Sequence, residues 1–205
     1  MKNKVLVTGG FGFIGSHLCD YLYDKGLEVI CFDRYNSEQD IGNLKYSKHI
    51  NKFEIIFGDV RDFDSVNDSI SRVDTVFHLA ALIGIPYSYK SPLAYIRTNI
   101  EGTYNVLESC KSNNIKNLIL TSTSETYGSA QFVPMNESHP VNAQSPYTAT
   151  KIAADNLAMS YFNSYNMNLK IARPFNTYGP RQSSRAVIPT IIKQAIKTKK
   201  IKLGS

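Results

Sequence analysis

Val5-Leu6-Val7-Thr8-Gly9-Gly10-Phe11-Gly12-Phe13-Ile14-Gly15 is the stretch that decides the fold. Three consecutive apolar residues read as a short buried strand, and glycines follow at once. A helical pattern then runs through Ile14, Leu18, Tyr21 and Leu22 and stops at Gly26. The same alternation continues outward. Strand patterns recur at Glu28–Asp33, Phe53–Phe57, Thr75–Leu79, Leu118–Ser122 and Leu169–Arg173, separated by helical patterns over about 92–113 and 146–165. In the first of these helices Leu93, Ile96, Ile100, Tyr104 and Leu107 fall on one face, the expected buried side. Short apolar strands alternating with helices build right-handed crossovers and a parallel sheet covered on both faces. The predicted fold is therefore a doubly wound, Rossmann-type α/β sheet.

The glycines satisfy G-x-G-x-x-G as Gly10, Gly12 and Gly15, and G-x-x-G-x-x-G as Gly9, Gly12 and Gly15. After a strand and before a helix, such a loop brings bare backbone close to a pyrophosphate at the helix N-terminus. Asp33 closes the second strand pattern, where a carboxylate accepts hydrogen bonds from ribose hydroxyls and repels a 2′-phosphate. That favours NAD over NADP, with Arg34 as the counter-argument. A second motif, Tyr147-Thr148-Ala149-Thr150-Lys151, sets a phenol and an ammonium at i and i+4 on one helical face. A cation beside a phenol favours the phenolate and makes it a usable base, although the spacing alone also fits an ordinary surface pair. A third stretch, Thr121-Ser122-Thr123-Ser124-Glu125-Thr126-Tyr127-Gly128, follows the fifth strand pattern. Ligands in open α/β sheets bind beyond the carboxyl ends of strands, so these hydroxyls and Glu125 are placed to meet one. A solvated Ser/Thr turn is the alternative.

Composition limits the other classes. The chain of 205 residues carries 23 Lys+Arg against 17 Asp+Glu, and is 42% hydrophobic. That suits a globular core and excludes a disordered tail or a disulfide scaffold. No apolar run nears the ~20 residues of a membrane-spanning helix, so no membrane role and a cytoplasmic setting are expected. Cys19, Cys31 and Cys110 read as buried free thiols, and His17, His49, His78 and His139 offer no ligand pair, so no metal is expected. The net charge of +6 is uneven, because residues 156–205 hold nine basic and no acidic side chains. Five are lysines between Lys193 and Lys202, suiting a solvated helix. Arg173, Arg181 and Arg185 surround a Pro/Gly-rich loop and suit a phosphorylated small ligand rather than nucleic acid, which wants basic residues interleaved with exposed aromatics.

Taken in order, the pieces resemble the extended short-chain dehydrogenase/reductase family, in particular its nucleotide-sugar epimerases and dehydratases. The matching segments are Thr8–Gly15, Asp33, Gly58-Asp59-Val60-Arg61-Asp62, His78-Leu79-Ala80-Ala81, Asn99 with Gly102-Thr103, Tyr147/Lys151 and Arg173–Arg181. The resemblance implies NAD as cofactor. Gly9, Gly12 and Gly15 would hold its pyrophosphate, lined by Phe13 and Ile14, while Asp33 takes the ribose. Asp59 and Val60 would flank the adenine, and Leu79 and Ala80 would lie along the cofactor. It further implies that Tyr147 and Lys151 drive redox at a sugar carbon and that Thr123 contacts substrate and Tyr147. A nucleotide-diphosphate sugar would be met by Ser124, Asn176, Arg181 and Arg185. Family relatives pair through two long helices, so a homodimer is expected.

Glu125 refines the resemblance. An acid there is characteristic of 4,6-dehydratases, in which it abstracts the C5 proton once C4 is oxidised, and decarboxylases of sugar uronates share the Thr-Ser-Glu triplet. Ser145–Lys151 and Arg173–Arg185 look most like dehydratases feeding legionaminic-acid-type sugars. Ser124 stands where thymidine-nucleotide dehydratases carry Asp, which argues against a thymidine nucleotide. The expected reaction is C4 oxidation, loss of water across C5 and C6, and reduction at C6. A 4-epimerase in which Glu125 is structural is the near alternative, and a dinucleotide sensor the remote one. Residues 1–174 are expected to form the cofactor domain and 175–205 the beginning of a smaller substrate domain. Ile201-Lys202-Leu203 reads as a strand without a successor. Cofactor binding with little or no turnover is the expectation for these residues alone.

Overall fold

Six strands form one sheet: β1 (Lys4–Thr8), β2 (Glu28–Arg34), β3 (Glu54–Gly58), β4 (Thr75–His78), β5 (Asn117–Thr121) and β6 (Leu169–Ala172). Their order is β3-β2-β1-β4-β5-β6 and every pairing is parallel. The helices are α1 (Phe13–Asp24), α2 (Phe63–Ile70), α3 (Ile85–Lys90), α4 (Pro92–Tyr95), α5 (Gly102–Ser112), α6 (Pro146–Tyr165) and α7 (Val187–Thr198). This computed structural model describes residues 3–198 and 201–202. It divides into a unit ending at Phe175 and a second unit from Asn176 onward.

The strands bury both faces, which is why they read as continuous apolar runs. Val5, Val7, Val29 and Cys31 point to the α1 side, where they pack with Cys19, Leu22 and Leu44. Leu6, Ile30, Phe32, Val76, Leu118 and Leu120 point to the other side and pack with residues of α2, α5 and α6, including Val66, Ile70, Val106, Leu107 and Ala158. The strand period of two thus splits one apolar run into two cores. The three cysteines are buried and free, with Cys19 and Cys31 Sγ 3.3 Å apart.

Local chemistry sets the helix ends. Ser145 caps α6, its Oγ accepting the Thr148 N–H at 3.1 Å, and Pro146 occupies the first turn. Asn166 ends that helix in the left-handed conformation, φ +53°. Asp62 caps α2 in the same way as Ser145 caps α6.

Two expectations change. The helix over about 92–113 is interrupted by a π-helical segment, Ile96–Glu101, between α4 and α5. Leu93, Ile96 and Tyr104 lie in solvent at 55%, 46% and 45% exposure while Leu107 is buried as expected, and the buried side runs through Tyr95, Asn99, Thr103 and Val106, where Asn99 and Thr103 are hydrogen-bonded inward. At the end of the chain, Ile201 and Lys202 are not in a strand, and Leu203 lies outside the described residues. Lys202 instead donates its backbone N–H to Gln194 Oε1 at 2.6 Å.

Candidate active site

The carboxyl ends of β1 and β4 lie side by side where the strand order reverses, the crevice that ligands use in this architecture. Gly9 there has φ +74°, and a Cβ on it would stand 2.8 Å from Ala80 N. A Cβ on Gly15 would stand 2.1 Å from Gly9 O. The backbone is packed against itself at both positions, so side chains are excluded. Gly12 is the N-cap of α1, with no side-chain cap and no acid in the first turn. The positive end of that helix is therefore open to an anion. Phe13 is half-buried and Ile14 is 40% exposed on this first turn.

Asp33 ties the loop to the sheet. Its Oδ2 accepts the Phe11 N–H at 2.9 Å and its Oδ1 the Arg34 N–H at 2.7 Å. Burial pushes its carboxyl up from the ordinary range, while these two N–H groups and the Arg34 charge pull it down. A carboxylate has about four acceptor positions, so ribose hydroxyls can share it. Asp59 is gripped by Arg61 through the backbone N–H (2.9 Å), Nε (2.9 Å) and Nη2 (2.5 Å), which holds its pKa low. The Val60 side chain belongs to the core beneath Gly102 rather than to the surface. These groups fit a dinucleotide: a cradle that a Cβ would fill, an open helix N-terminus and a carboxylate at the end of β2.

Leu79 and Ala80 both donate their N–H groups to Thr8 Oγ1 at 3.2 Å. That oxygen also lies 2.7 Å from His78 Nδ1, and His78 Nε2 lies 3.2 Å from Thr103 Oγ1. Thr103 gives its own proton to Asn99 O at 2.7 Å, so it accepts from Nε2–H, and Thr8 donates to Nδ1. Burial first, then the charge of Lys151, lowers the His78 pKa to about 3 and keeps the ring neutral. The sequence singled out this segment without its hydrogen-bond roles. Asn99 was likewise a matching residue without a role. It clamps Leu82 through both N–H (2.8 Å) and C=O (3.0 Å) and donates to Thr150 Oγ1 at 3.0 Å.

The end of β5 brings the remaining groups together. Lys151 is 4% exposed and donates from Nζ to Thr121 O at 2.8 Å. Burial draws its pKa down to about 8, with Asp155 pulling it back up. Tyr147, 6% exposed, is raised by burial and lowered by a hydrogen bond with the Thr123 hydroxyl. The spacing predicts a phenol activated by the lysine; here burial and Thr123 govern Tyr147, and Lys151 is bound to the strand carbonyl. Thr123 Oγ1 also accepts the Glu125 N–H at 3.2 Å and caps the short 3-10 turn Ser124–Tyr127. Glu125 is exposed on this turn, and its charge is felt at Tyr147. Ser124 donates its backbone N–H to Pro174 O at 3.0 Å.

Arg173 departs from its expected partner. It points inward, donating from Nε to Asp155 Oδ2 at 3.0 Å, with its guanidinium 5.2 Å from the Tyr127 ring centroid. An inward carboxylate outcompetes an external phosphate for this arginine because neither charge then stays buried alone. Asn176, Arg181 and Arg185 belong to the second unit, where Arg181 adopts φ +68° and Arg185 donates its N–H to Ser183 Oγ at 3.4 Å. Among the described residues no cluster of His, Cys, Asp or Glu could hold a metal ion, and no helix is long and apolar enough to cross a membrane.

Comparison with known proteins places this geometry. The DesIV double mutant, a dTDP-glucose 4,6-dehydratase from Streptomyces venezuelae solved with NAD bound, superposes with a TM-score of 0.85 at 30% identity, covering 94% of this chain and 62% of that one. A UDP-N-acetylglucosamine 4-epimerase from Methanobrevibacter ruminantium gives 0.85 at 37% identity, with the same coverages of 94% and 62%. UDP-glucuronic acid decarboxylase 1 of Arabidopsis thaliana is 37% identical over 95% of this chain and 45% of its own length. The chain spans about half the length of such relatives, 49% in one and 61% in another. Residues 6–205 match the GDP-mannose 4,6 dehydratase family, and the chain belongs to that family, within the NAD-dependent epimerases and dehydratases of nucleotide-sugar metabolism.

Proposed function

We propose that the chain carries the NAD-binding and catalytic residues of a nucleotide-sugar 4,6-dehydratase. The observation that carries this reading is Glu125, an acid on the turn directly after β5 whose charge reaches the buried Tyr147. Epimerisation at C4 needs no second base, whereas loss of water across C5 and C6 does. In this reading residues 1–174 bind the cofactor through Gly9, Gly12, Gly15 and Asp33, with Lys151 toward its ribose. Residues 175–205 begin the unit that meets the sugar nucleotide, through Asn176, Arg181 and Arg185.

NAD, when bound, supplies the reversible oxidation that turns C4 into a ketone. Tyr147 takes the C4 hydroxyl proton, and Thr123 holds the phenol and the substrate oxygen in line. The ketone acidifies C5–H, and Glu125, outside the core and free to reach a sugar, removes that proton. The C6 hydroxyl then leaves as water with a proton, and the hydride taken from C4 returns to C6 as C5 regains a proton, so that oxidation and reduction balance within one sugar. Ser124 lies on the same turn and faces the substrate in this proposal. The finer assignment, a dehydratase feeding legionaminic-acid-type sugars, rests on the Ser145–Lys151 and Arg173–Arg185 segments.

Decarboxylation is the second reading, favoured by the 37% identity to a UDP-glucuronic acid decarboxylase. It shares C4 oxidation and then loses carbon dioxide from a C6 carboxylate. Incubation with a panel of hexose, hexosamine and uronate nucleotides, followed by mass spectrometry, separates the readings. Loss of water supports dehydration, loss of carbon dioxide decarboxylation, and an unchanged mass with inverted C4 epimerisation. With the active substrate, Glu125→Gln is expected to abolish solvent deuterium entry at C5 while C4 oxidation persists as transient NADH absorbance. Normal turnover by that variant would remove Glu125 from the mechanism.

A further inference from the structure

The chemistry above uses Lys151 but leaves unexplained a second buried charge on the same helix. Asp155 lies one turn beyond Lys151 on α6, so the two side chains share a face. They are 3% and 4% exposed. Asp155 Oδ2 receives Ser122 Oγ at 2.9 Å, Arg173 Nε at 3.0 Å and Arg173 Nη2 at 2.9 Å. Oδ1 is buried and has no hydrogen-bond partner among the described residues. A carboxylate used on one side only is an expensive way to anchor an arginine. Resting on the reading that Lys151 serves the cofactor, we infer that Asp155 is a positioning residue, anchored by Ser122 and Arg173 to supply the negative charge that balances Lys151 inside the protein.

The end of β5 shows how the arrangement is built. Thr121 offers its carbonyl to Lys151 and Ser122 its hydroxyl to Asp155. Two successive residues therefore index two side chains of α6. The other groups around Lys151 cannot supply the balancing charge. His78 on β4 is neutral, and burial pushes Tyr147 up, disfavouring its charged form in the resting site. Arg173 on β6 is itself cationic and acts through Asp155, sharing its remaining reach with the Tyr127 hydroxyl at 3.3 Å. Asp155 is the acid that opposes the effect of burial on Lys151. Without it the ammonium loses its proton near neutral pH, and with that its charge toward a ribose and a phenolate.

The test is a titration of Lys151 by NMR in lysine-labelled protein, assigned with Lys151→Arg, without substrate. The midpoint, about 8 in the parent, is expected to fall by about one pH unit or more in Asp155→Asn, a tenfold loss of ammonium above it. Arg173→Gln is expected to move it the opposite way, because the carboxylate then faces Lys151 alone. NAD affinity of Asp155→Asn, measured by calorimetry, should be several-fold weaker at about pH 8 and recover toward the parent at about pH 6. A purely structural ion pair predicts a deficit independent of pH and no opposed shifts. A Lys151 midpoint unchanged in either folded variant overturns the inference, and Arg173→Gln alone decides it if Asp155→Asn does not fold. Because the titration needs no sugar nucleotide, failure to find a dehydratase substrate leaves this result standing, and the reverse also holds.

Discussion

Lowering the pH from about 7.5 to about 5 should unmask His78 as a determinant of stability. The ring is 2% exposed and both nitrogens are committed, Nδ1 to the Thr8 hydroxyl and Nε2–H to Thr103. Burial and the Lys151 charge depress its folded pKa from 6.5 to about 3. The unfolded chain takes up this proton near 6.5, so the stability tied to the neutral ring is complete above that pH and is lost as the pH falls toward 3. Each pH unit across that window costs about 1.4 kcal/mol, or roughly 2 kcal/mol by pH 5. That is a sizeable share of the ~5–15 kcal/mol typical of a folded domain. The assay is urea denaturation followed by circular dichroism at both pH values, for the parent and His78→Gln. Glutamine offers the same donor and acceptor but does not titrate. Whatever its own packing cost, the variant should lose about 2 kcal/mol less than the parent between the two conditions. The carboxylates with lowered pKa, Glu54, Asp59 and Glu108 among them, titrate below this window in both proteins and cancel. Equal losses, within about 0.5 kcal/mol, would refute the reasoning.

Gly15→Ala should destabilise by about 3 kcal/mol, lowering Tm by roughly 6–12 °C, since its Cβ meets the Gly9 carbonyl. Gly12→Ala, with nothing nearer than 3.2 Å, should cost far less, and differential scanning fluorimetry compares them. NAD should bind more tightly than NADP if Asp33 takes the ribose as proposed, since its carboxylate would repel a 2′-phosphate. Asp33→Asn should narrow that preference by about tenfold, the order of one charged hydrogen bond. Calorimetric titration of both nucleotides checks this, and equal affinities in the parent would shift the role to Arg34.

The fold is legible in the sequence where a local rule has few exceptions. Thr8–Gly15 could be read as strand, tight turn and helix because only glycine tolerates φ +74° and a 2.1 Å approach of backbone to Cβ. Pro146 after Ser145 marks the start of α6, and the observed helix ends at Tyr165 as its pattern did. The parallel order followed from alternating strands and helices. Where the reading failed, the cause was nonlocal. The apolar spacing places Leu93 and Ile96 inward, but the neighbouring face of Tyr95, Asn99 and Thr103 is the one buried. That face is bonded inward by the Asn99 clamp on Leu82 and Thr150, which a count of apolar residues does not detect.

The candidate site divides along the same line. The sequence by itself determined the sheet, its crevice, the glycine loop, and that Tyr147 and Lys151 share a helical face, because these depend on dihedral preferences and on periods of two and 3.6. Only the tertiary structure decided what each side chain faces. It turned Arg173 inward to Asp155, closed Asp59 onto Arg61, sank Val60 into the core, and gave Lys151 to the Thr121 carbonyl. Protonation followed the same route. His78 falls and Tyr147 rises because surrounding elements remove water from both, and desolvation depends on everything packed around a group rather than on its neighbours in the chain.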